Sequence, residues 1–231
     1  MGGHRSAIAW HAGRVHAPTT TTVRRMAAAL WIAAGVGYLA TEAVAASRMP
    51  EYSYLADYIS DLGRPESPLS WWMNAAFRVQ GMAFVVAGAL TVRTGPPRRG
   101  ALAFVVAACA YGAGSVVVGL FPSGGTGAAQ GLHVGGAAAA IVGGNLAVLI
   151  AAWAGLPHGS HALRRTGYGL GAIGLLSGAL LVAADLPTGV CERGAIYPII
   201  AWQLLAAVAV LTARPLSTDR AGDPRAGGRT R

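Results

Sequence analysis

Six apolar segments, each about long enough to cross a lipid bilayer, constrain this chain more than any other feature of its sequence. A transmembrane α-helix needs about 20 predominantly apolar residues. The sequence therefore predicts an all-α fold, a polytopic membrane bundle of six transmembrane helices. The six segments cover about residues 26–47, 71–93, 100–121, 131–155, 166–186 and 195–213.

The composition supports this prediction and limits the functions to consider. The chain is 54% hydrophobic and only 12% charged, whereas soluble domains carry about 25% charged residues. All eighteen basic residues are arginine, and the net charge is +9. A chain this apolar cannot solvate its own surface, so we interpret its partner as the lipid bilayer and expect no nucleic acid. It carries no phosphate-binding loop, metalloprotease motif or Cys/His metal spacing, and we expect no cofactor and no metal.

The arginines are distributed unevenly, and this predicts an orientation. Three lie in the loops after the first, third and fifth segments, and fourteen lie in the tails and the other two turns. Positive charge concentrates on the cytoplasmic side, which predicts a multi-pass protein of the cytoplasmic membrane with both termini inside. We expect a flexible basic tail over 1–25, the six-helix domain over 26–213 and a disordered tail over 214–231.

The segment after the first span, Tyr52 to Gly63, reads Y-S-Y-L-A-D-Y-I-S-D-L-G. Apolar residues recur in it at helical spacing, which predicts a short amphipathic helix in the membrane interface. Asp57 and Asp61 would then face water or a cavity. Cys191, Glu192 and Arg193 fall in a stretch, 187–194, that we interpret as a loop between the last two spans.

Four ionisable residues fall within or at the ends of the spans, on the same side of the membrane as that segment: Glu42, Arg78, His133 and Asp185. Such groups are costly there and usually functional. A protonated carboxylic acid beside an ionised partner suits general acid/base catalysis, with Glu42 or Asp185 as the acid and His133 as the base. The candidate catalytic residues are Glu42, Asp61, His133 and Asp185, and the candidate substrate-binding residues are Tyr54, Asp57, Asn74, Arg78, Glu192, Arg193 and Tyr197.

Each of these residues also has a structural interpretation. Glu42 and Arg78 could form an ion pair with each other, and His133 could be solvated at the interface. Asp185 could cap its loop, and the two aspartates of Tyr52–Gly63 could form a solvated helix face. Two mid-span amides, Asn145 and Gln203, are predicted to make interhelical hydrogen bonds.

Several of these stretches together resemble the bacterial multi-pass membrane family catalogued as domain-of-unknown-function family 998. They are Y-S-Y-L-A-D-Y-I-S-D-L-G, Asn74, F-P-S-G at 121–124 followed by His133, and C-E-R-G at 191–194 leading to Trp202. The resemblance covers about residues 26–213. It implies a six-helix integral membrane protein and little about activity.

Two classes of function fit these residues. The first is a membrane-embedded enzyme, cyclase- or transferase-like, acting on a lipid or isoprenoid/terpenoid substrate by general acid/base catalysis. The second is a non-catalytic carrier or assembly subunit that binds a cation or small solute. Polar residues are nearly absent from the cytoplasmic halves of the spans, which argues against a path through the protein. The sequence does not indicate an oligomeric state.

Overall fold

A computed structural model describes residues 19–157 and 160–213, and within them it contains six long α-helices and no strand. All six are long and apolar enough to span a membrane, which confirms the predicted fold class. The tail segments 1–18 and 214–231 lie outside the described residues. The helices are α1 Thr20–Ser47, α2 Ser70–Thr94, α3 Ala101–Leu120, α4 Gly127–Ala154, α5 His161–Ala183 and α6 Thr188–Thr212.

Five of the helices form a closed ring, in the order α1, α2, α3, α4, α6 and back to α1. The sixth, α5, packs outside the ring against α4 and α6 and is the least buried of the six. Its Gly174 approaches α4 so closely that a Cβ atom there would overlap the side chain of Asn145. Small residues allow such close helix packing in membranes.

The interior of the ring is closed toward the end at which α1 begins and α6 ends. Trp31, Phe84, Phe104 and Trp202 pack together there, and the ring centroids of Trp31 and Trp202 are 5.8 Å apart. Next to them, the Nε2 atom of Gln80 lies 2.7 Å from Oε1 of Gln203. The amide of Gln203 also donates to the backbone oxygen of Trp31, and that of Asn145 donates to Ala195. The predicted interhelical hydrogen bonds of Asn145 and Gln203 are thus confirmed.

The other end of the bundle is covered by residues 51–63, which we call the lid. A short helix follows α1 as predicted, but it is a 3-10 helix over Ile59–Gly63, preceded by turns, and not an amphipathic α-helix over 52–63. The two aspartates explain the difference. Asp57 accepts a hydrogen bond from the backbone of Ser53 at 2.7 Å, and Asp61 accepts one from Tyr58 at 3.1 Å. Such local bonds compete with a regular helix.

The last helix also begins earlier than the sequence suggests. The stretch 187–194 was predicted as a loop, but α6 starts at Thr188, so Glu192 and Arg193 lie in its second turn. Hydropathy alone misplaces this start because the first two turns contain charged residues. The side chain of Glu192 instead accepts a hydrogen bond from the lid, and that of Arg193 pairs with Glu42 of α1.

Candidate functional site

A buried ion pair joins the first and last helices of the ring. Nη2 of Arg193 lies 3.0 Å from Oε1 of Glu42, and Nε of Arg193 lies 3.1 Å from the same oxygen. The hydroxyl of Tyr197 donates to this oxygen at 2.9 Å. Glu42 is 1% exposed, and its other oxygen, Oε2, has no hydrogen-bond partner among the described residues. The pair therefore neutralises a carboxylate that would be costly to bury alone.

The same arginine fastens the lid. Nη1 of Arg193 donates to the backbone oxygens of Tyr54 at 2.9 Å and Asp57 at 3.1 Å, and Nη2 donates to the hydroxyl of Tyr52. The guanidinium also lies 4.6 Å from the ring centroid of Tyr54, a cation–π contact. Burial raises the pKa of the Tyr52 hydroxyl. Arg193 thus holds α1 and the lid with one side chain.

The first turns of α6 bind the lid at three further points. The carboxylate of Glu192 accepts a hydrogen bond from the backbone N–H of Ile59, and the hydroxyl of Thr188 donates to Ala56. The backbone N–H of Val190 donates to Leu55 at 3.2 Å. Most of the hydrogen bonds between the lid and the helices are therefore made by α6.

Under the lid, on the axis of the ring, lies a small cavity of about 30 Å³. Ser60 of the lid closes it above, and Gln80 lines its wall next to the aromatic cluster below. Most of its wall is apolar, including Phe77, Val118 and Ile141. Glu192 is the acidic residue among those that line it. Its polar lining residues are Tyr38, Ser60, Gln80, Tyr111, Ser115 and Glu192.

The four predicted catalytic residues do not meet at this cavity. Among the described residues, no hydrogen bond or ion pair joins any two of them. Asp61 binds Ser123 and Arg64, with 3.2 Å between Oδ1 and Oγ of Ser123, and Nδ1 of His133 is 2.7 Å from the backbone oxygen of Phe121. Asp185 is exposed in the loop after α5.

Of the seven predicted binding residues, six contact Glu42 or the lid, and Arg78 lies elsewhere. The six are Tyr54, Asp57, Asn74, Glu192, Arg193 and Tyr197. Asn74 donates to the backbone oxygen of Gly63 at 2.8 Å, and Nε of Arg78 donates to that of Asn74 at 3.0 Å. The alternative ion pair between Glu42 and Arg78 is not formed, because Arg193 occupies that position.

The uncharged polar residues of the cavity were not predicted from the sequence. These side chains lie within apolar spans, where ordinary helix packing accounts for a tyrosine or serine as readily as a functional site does. They are Tyr38, Gln80, Tyr111 and Ser115. One signal was available, since Tyr38 lies one helical turn before Glu42 and therefore on the same face of α1. The described residues contain no group of three or more His, Cys, Asp or Glu side chains placed to hold a metal ion.

The comparisons with known proteins agree with the predicted resemblance. A family model described as "Protein of unknown function (DUF998)" matches residues 26–209. No curated protein and no solved structure matches the chain. The geometry of the site is therefore the basis for any statement about function.

Proposed function

Because the chain belongs to the DUF998 family, whose description names no activity, we propose a function from the site itself: the protein binds a small monovalent cation in its axial cavity, at Glu192. The observation that carries this proposal is a buried carboxyl group, that of Glu192, which lacks an ion-pair partner among the described residues. Two acidic side chains, Glu42 and Glu192, lie near a single arginine, and Arg193 pairs with Glu42. No described arginine forms an ion pair with Glu192.

The lining of the cavity suits a cation of low charge. Oxygen ligands such as carboxylates, hydroxyls and amide carbonyls suit hard cations. The hydroxyl groups of Tyr38, Tyr111 and Ser115 and the amide of Gln80 accompany the single carboxylate of Glu192. Aromatic rings add a favourable face for positive charge. One carboxylate balances one positive charge, which favours a monovalent ion over a divalent one.

The size of the cavity supports the same choice. One water molecule needs a cavity of roughly 10–15 Å³, so a cavity of about 30 Å³ has room for about two. An alkali ion or an ammonium group fits this space, and an acyl or isoprenoid chain does not. The lid closes the cavity on one side and the Trp31–Trp202 cluster closes it on the other. This arrangement supports a closed binding site more than a channel.

A second candidate function, an acid/base enzyme, is favoured by the unlike surroundings of the two carboxyl groups. Glu42 is ion-paired and Glu192 is not. Carboxyl groups held in different environments take the separate roles of acid and base in many enzymes. A lipid or isoprenoid substrate would place its reacting end at Glu192, and the lid would have to open to admit it.

We also propose that the lid faces the outside of the cytoplasmic membrane and that both termini lie inside. This orientation rests on the charge asymmetry. In the described parts of the chain, the acidic residues all lie at the lid end, and both arginine-bearing turns, 93–99 and 164–165, lie at the opposite end. Positively charged residues favour the cytoplasmic side.

The test of cation binding is the thermal unfolding of the purified protein in detergent. Chloride salts of K⁺, Na⁺ and NH₄⁺ are compared with N-methylglucamine chloride at equal ionic strength. A cation at ten times its Kd stabilises the folded state by about 1.4 kcal/mol. We expect one of the small cations to raise the Tm of the wild type and of Asp185→Asn, whose side chain is exposed, but not that of Glu192→Gln. Equal shifts in Glu192→Gln and wild type would refute a cation site at Glu192.

The enzyme candidate has a separate test. Lipid extracts are compared between cells that carry the intact protein, no protein, Glu42→Gln or Glu192→Gln. Loss of one compound with accumulation of its precursor, in the null strain and in Glu192→Gln, supports catalysis at the cavity. Matching extracts from the null and intact strains count against it and leave the cation measurement as the deciding result.

A further inference from the structure

An apolar groove runs along the outer surface of the bundle between α3 and α4, on the side that faces lipid. Its volume is about 770 Å³, within the roughly 300–1,000 Å³ of typical small-molecule sites. Exposed aliphatic side chains line it, among them Leu102 and Val106 of α3 and Val142 and Leu146 of α4. It ends at Gly100, in the turn that precedes α3.

A cluster of arginines lies at that same end. Nη1 of Arg98 is 3.5 Å from the backbone oxygen of Ala154, and Nε of Arg164 donates to Ala152 at 2.9 Å. Nη2 of Arg164 is 3.4 Å from the backbone oxygen of Trp153. Two guanidinium groups thus converge on three successive carbonyls at the C-terminus of α4.

The positive charge of this cluster is not balanced by the protein that the structure describes. The neighbouring Arg99 and Arg165 are exposed, and Nε of Arg98 has no hydrogen-bond partner among the described residues. The described acidic residues all lie at the lid end. The C-terminus of a helix contributes only about half a negative charge. Several guanidinium donors therefore remain for an anion.

We propose that the groove and the arginine cluster together bind one anionic phospholipid. An acyl chain lies in the α3–α4 groove, and the phosphate of the headgroup lies against Arg98 and Arg99. Trp153 supports this placement, since it is 57% exposed and a side chain at Gly100 would run into its ring. Tryptophan is enriched at the level of lipid headgroups. The charge at the end of the groove favours an anionic lipid over a neutral one or a second copy of the chain.

The experiment is a titration of the purified full chain in detergent, read by native mass spectrometry. Phosphatidylglycerol is compared with phosphatidylcholine of the same acyl chains and with glycerol phosphate, which has the charged headgroup alone. A basic residue near an anionic surface changes affinity roughly fivefold. We expect phosphatidylglycerol to bind most tightly, and Arg98→Gln and Arg99→Gln each to weaken it about fivefold. Filling the groove with Ala103→Phe weakens both lipids.

The choice of variants also separates a loss of lipid binding from a general loss of structure. Arg99 is exposed and makes no hydrogen bond with the described residues, so Arg99→Gln keeps the fold. Arg25→Gln is the matched control, because α1 does not border the groove, and we expect wild-type binding. Equal affinity for the two lipids, or unchanged binding in Arg99→Gln and Ala103→Phe, overturns the proposal. Glycerol phosphate that binds as tightly as the lipid overturns it as well, in favour of a soluble phosphate ligand.

Discussion

The guanidinium of Arg193 lies within 3.0–3.1 Å of Oε1 of Glu42, and it binds the backbone of the lid with its remaining donors. One side chain therefore closes the ring of helices between α1 and α6 and also fixes the cover of the axial cavity. A change at Arg193 should weaken both the contact between α1 and α6 and the attachment of the lid. A change at Glu42 should weaken mainly the contact between α1 and α6.

We expect Arg193→Met to destabilise the protein more than Glu42→Gln does. Loss of one partner of a buried ion pair costs about 3–5 kcal/mol because the other charge is left uncompensated. Arg193→Met additionally releases the carbonyls of Tyr54 and Asp57. Thermal unfolding of both variants and of the double variant measures this. The double variant should lose less stability than the two single variants added together. Additive losses would contradict the direct pairing of the two charges.

Gly189 is where a single methyl group should loosen the lid. A Cβ at Gly189 would lie 2.5 Å from the backbone oxygen of Asp57 and 2.6 Å from that of Tyr54. Overpacking of this kind costs about 1–3 kcal/mol. In a background with Cys109 and Cys191 replaced by serine and alanine, a Ser60→Cys reporter under the lid should react with a thiol reagent roughly tenfold faster when Gly189→Ala is added. Gly37→Ala, where a methyl group meets nothing within 4 Å, is the control and should leave the rate unchanged.

High pH should weaken the lid through Tyr52. Burial raises the pKa of its hydroxyl above the ordinary value of about 10, so the folded state holds this proton more tightly than the unfolded state. The resulting stability is fully present below about pH 10 and is lost as the pH rises above it. The free energy of unfolding should therefore fall more steeply between about pH 10 and 11 in the wild type than in Tyr52→Phe. Parallel curves for the two proteins would show that Tyr52 does not contribute.

The packing of α5 can be tested at Gly174. We expect Gly174→Ala to lower stability by about 1–3 kcal/mol because the new methyl group overlaps the side chain of Asn145. Gly169 lies on the same helix, and a Cβ there meets nothing within 4 Å. Gly169→Ala is thus the matched control and should unfold like the wild type. Similar Tm values for the two variants would mean that α5 does not pack as described.

The sequence was sufficient to predict the six spans, because an apolar segment long enough to cross a bilayer rarely forms anything other than a transmembrane helix. It also pointed to Glu42, Glu192, Arg193 and Tyr197 as functional candidates. It could not identify the partner of Glu42, since Arg193 lies 151 residues away and Arg78 was as good a choice on charge and depth alone. Only the ring order of the helices, with α6 beside α1, decides between the two arginines.

The local structure of the lid is a second feature that the sequence pattern did not predict. The apolar spacing of Leu55, Tyr58, Ile59 and Leu62 fits a helix, but only Ile59 and Leu62 are buried. Side-chain bonds from Asp57 and Asp61 to nearby backbone groups decide the local structure, and a periodicity argument does not include them. These two acids bind nearby backbone groups and do not line the cavity, whose acidic residue, Glu192, belongs to α6.

The contact between α1 and α6 also sets an order of events during synthesis. Glu42 leaves the ribosome early, and Arg193 follows only after 151 further residues. At about 5–20 residues per second, the carboxyl group of Glu42 waits on the order of 10–30 s for its guanidinium partner. Until then the carboxyl group of Glu42 lacks the arginine that pairs with it in the folded protein. The ring therefore cannot close from its N-terminal helices alone, and arrival of the last helix is the step that completes it.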